Sequence, residues 1–472
     1  MNKEVRIQKI QEIIVSDEKR EDLLTQEIMW EKNLRAYKVH NIPLSYLIYN
    51  KYNGRILSRT KSLEKQNQSI NVETDDGRNL IEKLLWDSKI DRNKKTELSL
   101  KEFGQQKVGI ITKDGVIIDG NRRAMLLNRL DRTGYLKAIV LPVTLDENPI
   151  EIERLETTYQ MGEDEKLGYN PIEKYLKAKQ ILDKLTPKIS ETEAIKSISD
   201  WMGESEGEIH KYLDTMAIMD EYLEYLEYDG IYTQLDSRED QFLSLAKWLK
   251  TFYGESSKKA FDGYKDSDVD DLKTIAFDYL RFRNEYDGKE FRNLAEGNSD
   301  KHFFGNKDIW ERFSSKHNEI IKKLPPEPEI DTNSANLEKH LNARDKLFFD
   351  SSKFGTDSSA FLENLNEHKY LIGYNKAADE PEKLIRRASQ TFEAIKTSHK
   401  AFSKPEVQTM VKDLGDKIFN SLQKKSPSLV LSHIIELLEG LEVDTLPAQE
   451  ASEVQDKIKK IQQIGYQINK KL

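Results

Sequence analysis

The chain has 472 residues, 37% apolar and 33% charged, with 83 acidic against 74 basic side chains and a formal charge of −9. It contains no cysteine, which excludes disulfides, thiolate zinc sites and cysteine nucleophiles, and an acidic total argues against a general nucleic-acid coat while leaving room for a local basic groove. Two or three domains are expected from the length, and the lack of cysteine, of an 18-residue apolar run and of a signal-peptide core points to a cytoplasmic protein with no membrane partner.

Taken in order, residues 1–38 read as an amphipathic helix, because Ile7, Ile10, Ile13, Ile14, Leu23, Leu24 and Ile28 recur at three-to-four spacing. A short strand then leads through Ile42-Pro43-Leu44-Ser45 into an Asn-rich loop from Asn50 to Arg55. Residues 60–75 read as polar loop, 78–87 as helix and 88–100 as a charged connector. Val108 to Ile111 and Val116 to Ile118 flank Lys113-Asp114-Gly115, the pattern of a β-hairpin. Its second strand runs straight into Asp119-Gly120-Asn121-Arg122-Arg123 and a helical pattern carried by Ala124, Leu127 and Leu130. A glycine and two arginines between a strand end and a helix start are anion-binding chemistry. Gly120 admits close approach of the backbone, the helix start offers unpaired N–H groups, and the arginines give bidentate donors. Another strand is expected at 138–143.

From residue 149 the patterns are helical. Pro149 and Pro171 stand at favoured first helical positions, and Ser190/Glu193 and Ser205/Glu208 are capping-box signatures on either side of Trp201-Met202-Gly203. Helix, glycine turn, helix at that spacing is a helix-turn-helix candidate. Residues 190–225 nevertheless carry ten acidic side chains against Lys196 and Lys211, so phosphate backbones should be repelled and a protein-interaction role fits better. The proline-rich 324–329 reads as a stiff linker. Beyond it the chain is helical and more basic, ending in a stripe of Val454, Ile458, Ile461, Ile464 and Ile468 ringed by lysines. The eight histidines show no metal-ligand spacing.

The order of these motifs resembles the N-terminal domain of the ParB family, which shares its fold with sulfiredoxin, over roughly residues 38–220. Ile42-Pro43-Leu44-Ser45, Asn50 through Arg55, Gln105-Gln106, Gly120-Asn121-Arg122-Arg123, Asn170-Pro171-Ile172-Glu173 and the helix-turn-helix at 190–218 follow one another as in the family. The resemblance implies an α/β nucleotide-binding domain followed by a predominantly α-helical remainder, α+β overall. The expected layout is an N-terminal helix (1–37), the ParB/sulfiredoxin-like domain (38–148), a helical domain with the helix-turn-helix (149–220), a second helical domain (221–323), the linker (324–334) and a C-terminal helical domain (335–472).

It also implies a nucleoside triphosphate, CTP or ATP, bound with Mg²⁺ and either hydrolysed or used as a switch in a DNA-related or defence function. Gly120, Asn121, Arg122 and Arg123 would cradle the phosphates with Arg55 and Gln106 nearby. Asp119 would be a metal ligand or base beside Arg122, and the family's metal position falls nearest Glu156. Asn121 stands where the family usually has glutamate, and an insertion around 162–168 separates Gln160 from Asn170. Two alternatives stay open: a metal-dependent DNA nuclease, with DNA on the basic C-terminal segments rather than the acidic helix-turn-helix, and a non-catalytic adaptor on a degenerate nucleotide fold. A protein partner or a homo-oligomer is expected in either case.

Overall fold

The computed structural model describes residues 1–66, 69–130, 134–162, 170–253, 257–282, 285–331, 337–376, 381–441, 443 and 448–472. They form two compact units, Met1–Lys376 and Ala377–Leu472, in a mostly helical chain with two small sheets. Among the described residues no helix is long and apolar enough to cross a membrane.

The expected long N-terminal helix ends early. α1 spans Lys3–Glu18 and is followed by a hairpin, β1 (Thr25–Trp30) and β2 (Asn33–Lys38). Glu31 and Lys32 form its two-residue turn with φ of 49° and 63°, the left-handed pair that matches the twist of a tight hairpin. Two charged residues in place of Asn-Gly hide this turn in the sequence, and Leu23, Leu24 and Ile28 imitate a helical spacing. The period-two burial of Ile28 and Trp30 is the signal that distinguishes a strand.

The main sheet has the order β3-β6-β4-β5, with β3 (His40–Pro43), β4 (Gly109–Thr112), β5 (Ile117–Asp119) and β6 (Tyr135–Leu141). β4 runs parallel to β6, and the other two pairings are antiparallel. Alternation sends Ile111, Ile117, Leu136 and Ala138 to one face and Ile110, Ile118, Ile139 and Leu141 to the other. The first face is covered by α1, α3 (Asp75–Ser88), α4 (Ile90–Phe103) and α5 (Asn121–Leu130) through Ile10, Ile81, Leu85, Leu100 and Met125. The second is covered by Trp30 of the hairpin and by Ile152 and Leu155 of α6 (Pro149–Thr157). Both faces of β5 are thus covered, through Ile117 on one side and Ile118 on the other.

Two polar stretches expected to be irregular are helical. α2 (Leu57–Lys65) buries Ser58, Thr60 and Ser62; the Thr60 and Ser62 hydroxyls reach back to carbonyls one turn earlier and that of Ser58 donates to Glu173, so its inner face carries hydroxyls in place of an apolar stripe. The 88–100 connector is α4, which ends at Gly104 with φ 68°, a left-handed glycine stop.

α7 (Pro171–Leu185), α8 (Glu191–Met202) and α9 (Glu206–Tyr225) follow, with the full capping box at Ser190/Glu193 and a left-handed Gly203 between α8 and α9. They share one large core with α10 (Glu239–Phe252), α11 (Asp266–Arg281), α12 (Lys307–Lys323), α13 (Leu337–Ser351) and α14 (Ala360–Lys376). The proline-rich stretch lies inside this unit. Glu327 takes two bonds from Arg281, at 2.9 and 2.8 Å, and the Pro328 carbonyl takes one from Arg344, so it is a pinned strap and the boundary between units falls at 376/377. The second unit is helical: α15 (Pro381–Glu393), α16 (Pro405–Lys425), α17 (Pro427–Glu439) and α18 (Ala448–Asn469).

Candidate functional site

Gly120 is where β5 becomes α5. Its φ is +108°, a conformation that side chains rarely adopt, and a Cβ there would lie 3.6 Å from the Gly109 backbone of the neighbouring strand. Asn121 then locks the turn. It is 3% exposed; its Oδ1 accepts the Asn50 N–H at 2.9 Å, and its Nδ2 donates to the Ile117 carbonyl at 3.0 Å. This one side chain ties the 50–55 loop to the strand end under the first turn of α5. It is therefore a positioning group, and its chemistry suits an amide, which supplies an acceptor and a donor, better than a glutamate.

The two arginines part company. Arg123 donates to Asp119 at 2.7 Å and to the Lys107 carbonyl, while Arg122 donates to Thr96 of α4 at 3.0 Å. Asp119 and Arg123 are each about one-fifth exposed, so their pair is reachable from solvent. Arg55 sits half-buried at the end of the loop, with its own N–H held by Asn53 at 3.2 Å. Gln106 is exposed and donates to the Phe103 carbonyl at 2.6 Å, closing the end of α4. Its neighbour Gln105 does more for the site. It bonds both the N–H and the carbonyl of Lys137, extending the sheet edge at the base of β4.

Glu156 lies beneath the loop rather than open to it. It is 3% exposed and accepts from Asn53 at 3.4 Å, from Gln160 at 3.3 Å and from Lys177 at 3.3 Å. Gln160 stands on a π-helical turn that extends α6 and also donates to the Ile118 carbonyl at 3.0 Å. Lys177, 1% exposed, is shared with Glu153 at 2.5 Å. Burial raises Glu156, an effect that Lys177 opposes. Burial acts the same way on Glu153, but Lys177 and Lys184 outweigh it and hold that carboxyl down to about 2. Burial works against the charge on Lys177, yet the two carboxylates push it up. Thus Glu156 is enclosed by an ammonium and two amides.

A second buried carboxylate completes the surroundings. Glu173, from the Asn-Pro-Ile-Glu motif, accepts the Ser58 N–H at 2.9 Å and the Ser58 hydroxyl at 2.6 Å, capping α2 from another helix. Burial pushes it up to about 7 against those bonds and Arg59. Arg59 grips Asp236 with both terminal nitrogens, at 3.2 and 2.5 Å.

The fold therefore gathers Asp119, Gly120, Asn121, Arg122 and Arg123 on one turn, with the 50–55 loop laced to it and Glu156 reaching that loop from below. Gln106 is engaged elsewhere. Lys177, Glu153, Ser58 and Asp236 carry no signal in the sequence beyond charge or a hydroxyl at a helix start. Among the described residues no group of three or more His, Asp or Glu could hold a metal ion. No protein family matches the chain, and no curated protein is significantly similar to it.

Proposed function

We propose that the Asp119–Arg123 turn is the phosphate cradle of a ParB-like nucleoside-triphosphate-binding protein, a CTP or ATP switch or hydrolase serving a DNA-related or defence process. The observation that carries this reading is the Asn121 stitch. It holds a positive-φ glycine, a helix N-terminus and a second loop in one fixed frame, with two arginines on the frame's first helical turn. The first N–H groups of a helix have no partner within it, and with the dipole they favour an anion. A phosphate seated there competes with Asp119 for Arg123. Ligand binding then opens that pair and lets Asp119 move, which makes the pair the natural two-state element of a switch.

The residues do not fit a protein-held Mg²⁺ as the motif order implied. Glu156 already meets the Lys177 ammonium and two amide donors, and Asp119 meets Arg123. Phosphate recognition in this reading belongs to arginines and main chain. A thermal-shift and calorimetry panel of CTP, ATP, GTP and UTP tests it. One nucleotide should raise Tm by several degrees, as expected for ~3 kcal/mol of linkage near 100-fold saturation, and R122A/R123A should abolish the shift without unfolding the protein. No shift with any nucleotide, or a shift that survives the double substitution, refutes the proposal.

The adaptor alternative is favoured by one observation, the neutralised carboxylates at Asp119 and Glu156, and it requires a flat response across the panel. The nuclease alternative needs Asp119 freed for a metal. Its test is metal-dependent nicking of plasmid DNA that is lost in D119A.

A further inference from the structure

Glu153 and Glu156 stand one turn apart on α6, 7% and 3% exposed, and Glu156 touches the 50–55 loop through Asn53. Two carboxylates buried together beside a phosphate cradle are what a Mg²⁺ ion would use, held there by oxygen lone pairs. The groups around Glu156 face the other way. Asn53 gives its Oδ1 to the Arg55 N–H at 3.2 Å, which leaves its Nδ2 to donate to Glu156. Gln160 is oriented by the Ile118 carbonyl at 3.0 Å and turns the same nitrogen to Glu156. Both amides therefore offer N–H groups where a metal ion needs lone pairs.

Lys177 of α7 closes the cluster. Its Nζ lies 2.5 Å from Glu153 Oε1 and 3.3 Å from Glu156 Oε2, on a side chain only 1% exposed. Lys184 meets the other oxygen of Glu153 from the solvent side, so two carboxylates face two ammonium groups. A divalent ion at these carboxylates would sit within contact distance of the buried ammonium, where repulsion is little screened. The two cations exclude one another. The cluster is thus neutral with this chain's own side chains, under the loop that Asn121 laces to the cradle.

We propose that Lys177 is a tethered cation standing in the place of a metal ion, so that the cradle takes its triphosphate as the free anion, with no divalent cation held by the protein. The inference rests on the cradle reading of the Asp119–Arg123 turn and adds to it the form of the ligand. With Glu153 and Glu156 neutralised from within, the buried carboxylates set up no net repulsion against an anion at the start of α5. Enclosed as it is, Lys177 reaches no phosphate. It is a positioning residue, acting through Glu156 and Asn53 on the 50–55 loop. Taking the ammonium away leaves two buried carboxylates uncompensated, and K177Q puts an amide oxygen beside them, which together make a ligand set for a divalent ion.

The full chain is titrated by calorimetry with the nucleotide it takes, once in EDTA and once in Mg²⁺. Binding in EDTA should be at least as tight as in Mg²⁺, and a loss of roughly tenfold or more in EDTA overturns the inference while leaving the cradle standing. No binding in either buffer overturns the cradle reading and this inference together, a result distinct from dependence on Mg²⁺. A second readout needs no nucleotide. Mn²⁺ titration followed by electron paramagnetic resonance should give no bound ion in wild type that is lost in E156Q, and such an ion overturns the inference. In K177Q one Mn²⁺ should bind and raise Tm by several degrees, whereas the wild-type Tm should not move. A folded K177Q indifferent to Mn²⁺ overturns the role given to Lys177. Should K177Q fail to fold, the two wild-type titrations still decide the question.

Discussion

Lys177 is the side chain on which the ground beneath the candidate site depends. It is an ammonium 1% exposed that serves Glu153 and Glu156 together, and Glu156 in turn holds Asn53 of the loop laced to Asn121. Removing one partner from a buried ion cluster leaves the others without compensation. K177M should therefore lose about 3 kcal/mol in urea unfolding, with much of it restored in K177M/E153Q/E156Q. An unchanged midpoint in K177M would show that the cluster contributes nothing. Glu173 carries a pH dependence of the opposite kind to Glu153. Its folded pKa of about 7 lies above the ordinary 4.5, so the folded state holds the proton more tightly. The resulting stability is full below pH 4.5 and is lost as pH rises through 7, a span worth ~3 kcal/mol by linkage. The slope of Tm against pH between 5 and 7 should be less negative in E173Q than in wild type; parallel slopes would exclude Glu173 as its source. These roles were half-legible in the sequence. Glu173 stood out within Asn-Pro-Ile-Glu, and Asp119 to Arg123 stood out as an anion turn. A buried lysine on α7 cannot be told from an exposed one when its neighbours in space are 21 and 24 residues away in sequence.

Among elements, the strand–turn–helix from β5 to α5 is the one whose geometry is most constrained. G120A should cost about 1–3 kcal/mol, because alanine must adopt φ near +108°, a conformation that side chains rarely take. If the turn is the phosphate cradle, G120A should also weaken nucleotide binding beyond what stability explains, as read by calorimetry well below Tm. The pair α8–α9 has the shape of a DNA reader without the charge of one. Glu206 and Glu208 open α9, and its Lys211 is paired to Glu208. Duplex DNA should show no α9-dependent retardation in wild type, and E206K/E208K should increase binding; loss of wild-type binding in K211A would contradict this reading. Elements that bury apolar residues at a regular period, namely β3 to β6, α3 and α5 to α9, were visible from sequence. The β1–β2 hairpin, α2 and α4 were not. Their signals are a charged two-residue turn, a hydroxyl-lined face and a glycine stop after a charged run, and each of these outweighs the period sought.

At the scale of the molecule, one unit has three buried apolar clusters and the other has no core of its own among the described residues. Limited proteolysis should cut first within 377–472 and leave a fragment near Met1–Lys376. The candidate site also has a place in time. Its sheet pairs His40 with Ala138, Asn121 reaches back to Asn50, and Glu156 reaches back to Asn53, whereas α8 and α9 pack chiefly on each other and on α7 and α10, their near neighbours in sequence. Loops that long close slowly compared with helical hairpins. In a refolding experiment the helical signal should therefore recover first. The stitch at Asn121 should form among the last steps, so the anion turn becomes competent only after most of the chain that surrounds it has already folded.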